Sequence, residues 1–453
     1  MEIKDILNKI GFTPIDRQEN DLSVWEQFFK GHVDNFHEYT EYQGIVLGHV
    51  TRKRKSLKMA KSISELWADN LINPETEFVA DDKSIQTWID NYVDNNGVKF
   101  KLNDLMELSF ALGTGATIQS KDKKGNVFNQ YIPMYAIWPL KSVLGEIVDC
   151  AFINQEVDES CYAQIHEQQE DGTYIIYNKF FDKDGTEYIN EDIESEFRSD
   201  VKLFQLYSPA IVNNINIGNP LGISIYANAV DELKSVDIAY DALDKEARNG
   251  RMRVYVQGEA LQVHKGSKMP IFNKDQDEFY LLPEDAKNPD GTLINVQAPT
   301  LRVDQYINNL EKQLNMLGSK CGLGDSAFYS KDGTIYTNTT QVVSTNSKFY
   351  KTRKKHATRI EKPLVDMLKA LYYLDTGNLL ESGIHVEFDD SIIHDKDAEY
   401  ARLIQQFNLG LISRIEFYEQ AYGMTHKEAV KFNDKQIKES TLGEDAEEEG
   451  MEE

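Results

Sequence analysis

Five acidic residues crowd one short stretch late in the chain: Asp389, Asp390, Asp395, Asp397 and Glu399. Carboxylates in that density could hold Mg²⁺ for a metal-dependent nuclease or maturation enzyme. The same pattern suits a solvated loop that runs into the acidic first turn of a helix, where the macrodipole favours negative charge. A second candidate is Asp182-x-Asp184-Gly185, which matches three positions of a calcium loop. Phe180 stands where the first ligand belongs and Glu187 where an apolar residue is usual, so the segment reads as a turn, with no calcium. The nine histidines are scattered without metal-ligand spacing, and no HExxH, GxxxxGK[ST], GxGxxG or GxSxG occurs. Cys150, Cys161 and Cys321 form neither a CxxC pair nor an even set, which suits small buried hydrophobes in a reducing compartment. The expectation is a protein that is not an enzyme and takes no cofactor.

The elements that would position any site belong to a large, acidic chain. At 453 residues it exceeds the span of one hydrophobic core, so two to four structural units are expected. No apolar run approaches the ~18 residues of a membrane span, and the N-terminus shows no secretory signal, so a soluble, cytoplasmically made protein is expected. Net charge is -26, and the seven acids of Gly443 to Glu453 cannot account for it alone. Such a surface repels duplex DNA on average, which argues against sequence-specific recognition but suits a non-adhesive conduit. The one basic run that stands out, Arg52 to Lys61, is expected to begin a helix whose charged face is solvated or pairs at an interface, rather than contacting nucleic acid.

Periodicity divides the rest. Thr117 to Phe204 reads as strands, with hairpins around Lys123-Lys124-Gly125 and Asp182-Lys183-Asp184-Gly185. After Asn219-Pro220-Leu221-Gly222, the residues Ile225, Ala229, Leu233, Val236, Tyr240, Leu243 and Ala247 form one helix face, closed by Asn249-Gly250 as a cap. Strands at 251–256 and 293–297 flank an insert with Pro270, Pro283 and Pro289. A second stripe follows, Val303, Ile307, Leu310, Leu314 and Leu317, and leads into a Gly/Asp/Ser loop. From Asn338 to Asp375 one long helix is expected, kinked or broken at Pro363. Ile384 to Phe388 is a strand, and Ser413-x-x-Glu416 and Thr425-x-x-Glu428 are capping-box signals for short helices. The acidic tail reads as disordered.

Four segments in this order resemble the portal proteins of long-tailed double-stranded-DNA phages. They are Trp25 to Gly31 with Ser56-Leu57-Lys58-Met59-Ala60-Lys61; Asn219 to Ser224, leading through Asp237, Tyr240 and Asp241 to Glu246 and then Gly250 to Val254; Asn338-Thr339-Thr340-Gln341-Val342 with Ser347 and Tyr350; and Gly410-Leu411-Ile412-Ser413. Asn338, Thr339 and Gln341 depart from the family's usual Thr, Ala and Glu, which puts the start of the long helix in question.

The resemblance implies an α+β portal fold with a wing, a stem of paired helices, a clip, a crown and a long kinked wing helix. Residues 1–223 and 338–394 would form the wing, 224–249 and 301–318 the stem, 250–300 the clip, 319–337 the tunnel loop region, 395–440 the crown and 441–453 a disordered tail. It also implies a homo-oligomeric ring, usually a dodecamer, at one capsid vertex of the virion, assembled in the bacterial host cytoplasm, for genome packaging, retention and ejection. Expected partners are the large terminase, head-tail adaptor (connector) proteins, capsid and scaffolding proteins, and transient, non-specific double-stranded DNA, with no membrane. Candidate DNA contacts are Phe328, Tyr329, Ser330, Lys331, Asp332, Gly333, Thr334, Ile335 and Tyr336; Phe328 and Tyr329 could instead pack the loop against the wing. Candidate partner contacts in the clip are Arg251, Arg253 and Tyr255, on strands that could pair with neighbouring subunits. The competing readings are the nuclease built on Asp389 to Asp397 and a non-channel phage adaptor.

Overall fold

A computed structural model describes residues 3–42, 49–122, 124–155, 160–190, 193–257, 279–282, 294–324, 328, 339–380, 383–389 and 396–435. The chain separates into two compact units, Met1–Thr334 with Lys351–Phe388, and Ile335–Tyr350 with Asp389–Glu453.

In the first unit, α1 (Ile3–Lys9) lies against an antiparallel sheet built in the order β10 (Glu187–Tyr188), β9 (Tyr174–Phe181), β8 (Cys161–Gln168), β7 (Glu146–Gln155) and β6 (Ile137–Val143), with β11 (Glu196–Ser199) also on β9. Alternation along β8 and β9 turns Cys161, Ala163, Ile165 and Phe181 toward Ile6 and Leu7, which closes a core cluster with Trp138, Ala151 and Ile153. A smaller sheet runs β12 (Phe204–Tyr207), β4 (Gly115–Lys121), β5 (Val127–Pro133). Both expected hairpins form. At the second turn Asp182 Oδ1 accepts the Asp184 and Thr186 N–H groups at 3.0 and 2.8 Å, so the calcium-like residues close a turn.

The helices α2 (Glu19–Lys30), α3 (Met59–Leu71), α4 (Lys83–Asn96) and α5 (Val98–Leu112) pack around Trp67 and Phe110, both fully buried. The basic run departs from expectation here. Its first residues end the strand β2 (His49–Lys53), paired with β1 (Glu38–Tyr42), and residues 54–58 are irregular; the helix begins only at Met59. Val50 and Arg52 are half-buried while their neighbours are exposed, a period of two that belongs to a strand.

The two apolar stripes form α6 (Val230–Asn249), preceded by a 3-10 turn at Ala227–Ala229, and α7 (Val303–Lys320). Between them stands a three-stranded sheet, β14 (Phe279–Leu282), β13 (Arg253–Gln257), β15 (Ile294–Gln297). β14 was not expected from the sequence. It pairs parallel to β13, and β15 antiparallel, so β13 is central with both edges occupied. Within the chain β13 therefore has no open edge for a neighbouring subunit, and among the described residues the outer edges of β14 and β15 are the open ones of this sheet.

The long helix α8 (Thr339–Thr376) runs through Pro363 without a break. Proline removes one internal hydrogen bond at a cost of about 3 kcal/mol. Burial of Ile360, Leu364, Met367, Leu368 and Leu371 on one face offsets that loss. After it, β16 (Ile384–Glu387) pairs with β3 (Glu77–Ala80), as expected for a strand at 384–388.

The second unit holds α9 (Lys396–Asn408), α10 (Arg414–Tyr422) and a helix over 426–435, α11. Phe417 packs on Phe407 with ring centroids 5.4 Å apart, and Tyr418 on Phe432 at 5.1 Å. Ser413 and Glu416 make the full capping box: Glu416 N–H donates to Ser413 Oγ and Ser413 N–H to Glu416 Oε2. At Thr425 half of it forms, because the threonine hydroxyl donates to Glu428 instead of accepting a backbone N–H. The acidic tail, 441–453, lies outside the described residues.

Candidate functional site

The segment 219–324 is positioned by a hub on α6. Asp237, Asp241 and Asp244 step by four and three residues and so share one helix face. Asp237 and Asp241 are buried. Asp237 Oδ1 accepts the Leu57 N–H at 2.7 Å, and its Oδ2 accepts from Ser56 Oγ at 3.1 Å and lies 2.9 Å from His37 Nε2. His37 Nδ1 accepts the Val33 N–H at 2.7 Å, which leaves the ring proton on Nε2, donated to Asp237. Asp241 Oδ1 accepts the Lys55 N–H at 3.3 Å and its Oδ2 pairs with Lys245 at 2.6 Å, while Asp244 takes the Lys55 ammonium at 2.6 Å. Arg54 lies over the rings of Phe36 and Tyr39. The middle of the basic run thus bonds within the chain, where residues 55–57 are fastened to α6.

Ion pairs also fasten α6 to α7 near both ends. Arg302 grips Glu246 through two nitrogens, Nε to Oε1 at 3.1 Å and Nη2 to Oε2 at 3.0 Å, and Arg302 beside it holds the Glu246 carboxyl below its usual range. Lys320 pairs with Glu232 at 2.7 Å at the other end. Gly250 does not adopt the left-handed cap that the sequence suggested; its φ is -80°. A Cβ there would overlap the end of the Leu301 side chain, which marks how closely the two ends of the insert approach. Gly222 plays a related part at the start of the segment. A Cβ on it would overlap the Gly113 carbonyl oxygen, and Gly113 itself sits at φ +91°.

The residues singled out for contact fall unevenly. Arg251 is exposed, and Arg253 and Tyr255 on β13 are half-buried. Phe328 is half-buried; Tyr329, Ser330, Lys331, Asp332, Gly333, Thr334, Ile335 and Tyr336 lie outside the described residues, as do Asp390 and Asp395. Among the described residues no group of three or more His, Cys, Asp or Glu is placed to hold a metal, and no helix is long and apolar enough to cross a membrane. Sequence reading overlooked a second basic run: 348–362 carries seven Lys or Arg against one acid, Glu361. Its signal was there, hidden by the apolar stripe of the same helix.

Those contacts join the segments that carry the portal resemblance. Ser56 and Leu57 bind Asp237, Tyr226 Oη donates to the Trp25 carbonyl at 2.9 Å, and Glu246 holds Arg302. The sequence matches the family described as "Phage portal protein, SPP1 Gp6-like" over residues 48–442. The chain belongs to this phage portal family. Its role is that of a portal protein, a structural component of a phage particle. A search of curated proteins finds no match. Among solved structures, a chain of one described as "Neck of native GTA particle computed with C12 symmetry" is similar at 11% identity and a TM-score of 0.45, covering 92% of this chain and 98% of that one. For this portal protein, the motifs are physical contacts. The early basic segment and the carboxylates of α6 are two halves of one joint, separated by about 180 residues of chain.

Proposed function

We propose that the protein forms a closed ring of like subunits, a dodecamer by family resemblance, at one capsid vertex, and that genomic DNA enters and leaves through its axis. Family membership over residues 48–442 carries this reading. In it, 224–249 and 301–318, which carry α6 and α7, are the stem, 250–300 the clip, 319–337 the tunnel loop region, 1–223 and 338–394 the wing, and 395–440 the crown. The paired helices support it: clamped to each other by ion pairs, they still expose Ile238 at 49%, Met316 at 54% and Leu301 at 48%. Apolar side chains left uncovered on a helix pair in a single chain suit burial against neighbouring copies.

A net charge of -26 suits a conduit that holds DNA without trapping it. In this reading Lys331, within Phe328 to Tyr336, touches the phosphate backbone transiently, and Arg251, Arg253 and Tyr255 face the large terminase during packaging and head-tail adaptors afterwards. Capsid and scaffolding proteins surround the rim. Negative-stain imaging of the purified protein tests the ring. Closed rings with an axial hole are expected; a monomer or small oligomer in sedimentation would replace it with a non-channel adaptor. Deleting Ser330 to Thr334 is expected to spare the ring and lower the yield of DNA-filled heads.

A further inference from the structure

The overlooked basic run forms an exposed stripe on α8. Lys351, Lys354, Lys355, Arg359 and Lys362 fall within less than half the circumference of the helix, while Arg353, His356, Ile360 and Leu364 on the opposite side are buried. Lys55, Lys61 and Lys320, by contrast, each pair with a carboxylate of the chain. Along the stripe, Lys351, Lys354, Lys355 and Arg359 meet no carboxylate among the described residues, and Lys362 reaches Glu146 only at 3.5 Å with both side chains exposed.

Beside the stripe lies a groove of about 600 Å³, walled by Lys355 and Arg359 on one side and by residues 208–213 and 218–222 on the other. Among the described residues no carboxylate lines it. Val212 stands in its wall at 78% exposure, and Ile217 and Leu144, each next to a lining glycine, are exposed at 87% and 101%. Its floor is fixed, because the Ala210 N–H donates to His356 Nδ1 at 2.9 Å and Asn213 Nδ2 donates to the Leu221 carbonyl at 3.1 Å.

We propose that this stripe and groove dock an acidic peptide segment of a partner protein, carboxylates on Lys351, Lys355 and Arg359 and aliphatic side chains against Val212. Duplex DNA fits less well. Its hydrated phosphates would face exposed aliphatic side chains. A peptide that alternates acids and aliphatics meets both surfaces at once. The site is read from this surface alone and does not rest on the ring.

The test is fluorescence anisotropy of the full-length protein with a labelled peptide of about 16 residues alternating Glu and Leu. Poly-glutamate of equal charge and a duplex of about 20 base pairs serve as comparisons. The peptide is expected to bind, more weakly as salt rises, and the Lys355→Glu/Arg359→Glu variant to lose roughly tenfold or more in affinity. Val212→Asp, which leaves the cations in place, is expected to weaken it several-fold. Lys351→Glu/Lys355→Glu supplies a second charge-reversal pair, and unchanged sedimentation of each variant separates loss of docking from loss of fold or assembly. Equal affinity in parent and charge-reversal variants would overturn the proposal. So would poly-glutamate binding as tightly as the peptide, or tighter binding of the duplex that the same variants abolish.

Discussion

His37 and Asp237, 200 residues apart in sequence, meet 2.9 Å apart in a site where both are buried. The carboxylate there is an acceptor surrounded by donors: the His37 Nε2–H, the Ser56 hydroxyl and the Leu57 N–H. Asp237→Ala strands these donors and is expected to cost about 3 kcal/mol. Asp237→Asn is expected to do little better. Its amide has one acceptor end, and either orientation aims an N–H at the Leu57 N–H or at the His37 donor, whose other nitrogen is already engaged by Val33. Thermal unfolding checks this, and an asparagine variant as stable as the parent would refute the hydrogen-bond assignment.

This joint shows what sequence could reveal and what it could not. Stripes such as the one through Leu233 and Val236 announce helices because burial imposes their spacing. Ser413 and Glu416 announce a helix start because the cap is local. Asp237, Asp241 and Asp244 share the spacing of a solvated face, and nothing local marks the first two as buried or all three as partners of residues 55–57. The parallel partner β14 escaped for the same reason, since its pairing to β13 is set by tertiary context rather than by its own four residues. At Pro363 no break forms, because a local penalty of about 3 kcal/mol is outweighed by the apolar face of α8. Most of the contact residues from Phe328 to Tyr336 fall outside the described residues.

Two glycines that look alike in sequence should respond differently to alanine. At Gly222 the added Cβ meets the Gly113 carbonyl oxygen, a backbone atom that cannot turn away. Gly222→Ala is expected to cost about 2 kcal/mol or more. At Gly250 the obstacle is the end of the Leu301 side chain, which is 48% exposed and free to change rotamer, and the backbone φ of -80° is ordinary. Gly250→Ala is expected to fall within about 0.5 kcal/mol of the parent. Denaturant midpoints of the two variants provide the comparison, and equal losses would refute the distinction.

Acid sensitivity should come partly from two buried histidines. Burial pushes the His166 and His356 imidazoles down to about 3, with Lys202 and Lys355 respectively adding to the effect. Their folded values lie below the unfolded value of about 6.5, so the unfolded chain binds more protons as pH falls. The stability they contribute is present above about pH 6.5 and is lost on the way down toward pH 3, with each costing about 2 kcal/mol by pH 5. His166 offers a clean test, because neither ring nitrogen has a hydrogen-bond partner among the described residues. His166→Leu is expected to leave stability at pH 8 equal or higher and to flatten the fall between pH 6.5 and 5. An unchanged acid limb would show that His166 is not the group responsible.

The three cysteines should be silent in the folded protein. All are buried thiols, and burial pushes Cys150 and Cys321 up to about 12 and raises Cys161 as well. Only the thiolate reacts, so at pH 8 about one Cys150 or Cys321 in ten thousand is competent even before access is considered. Ellman's reagent is therefore expected to find almost no thiol within minutes in the native protein and all three after denaturation. Cys321 sharpens the measurement, since its carbonyl accepts the Trp67 indole N–H at 3.1 Å. Any opening that exposes Cys321 must disturb Trp67, so rapid labelling there should be accompanied by a change in tryptophan fluorescence. Labelling of Cys321 without that change would separate the end of α7 from the Trp67 core and refute their coupling.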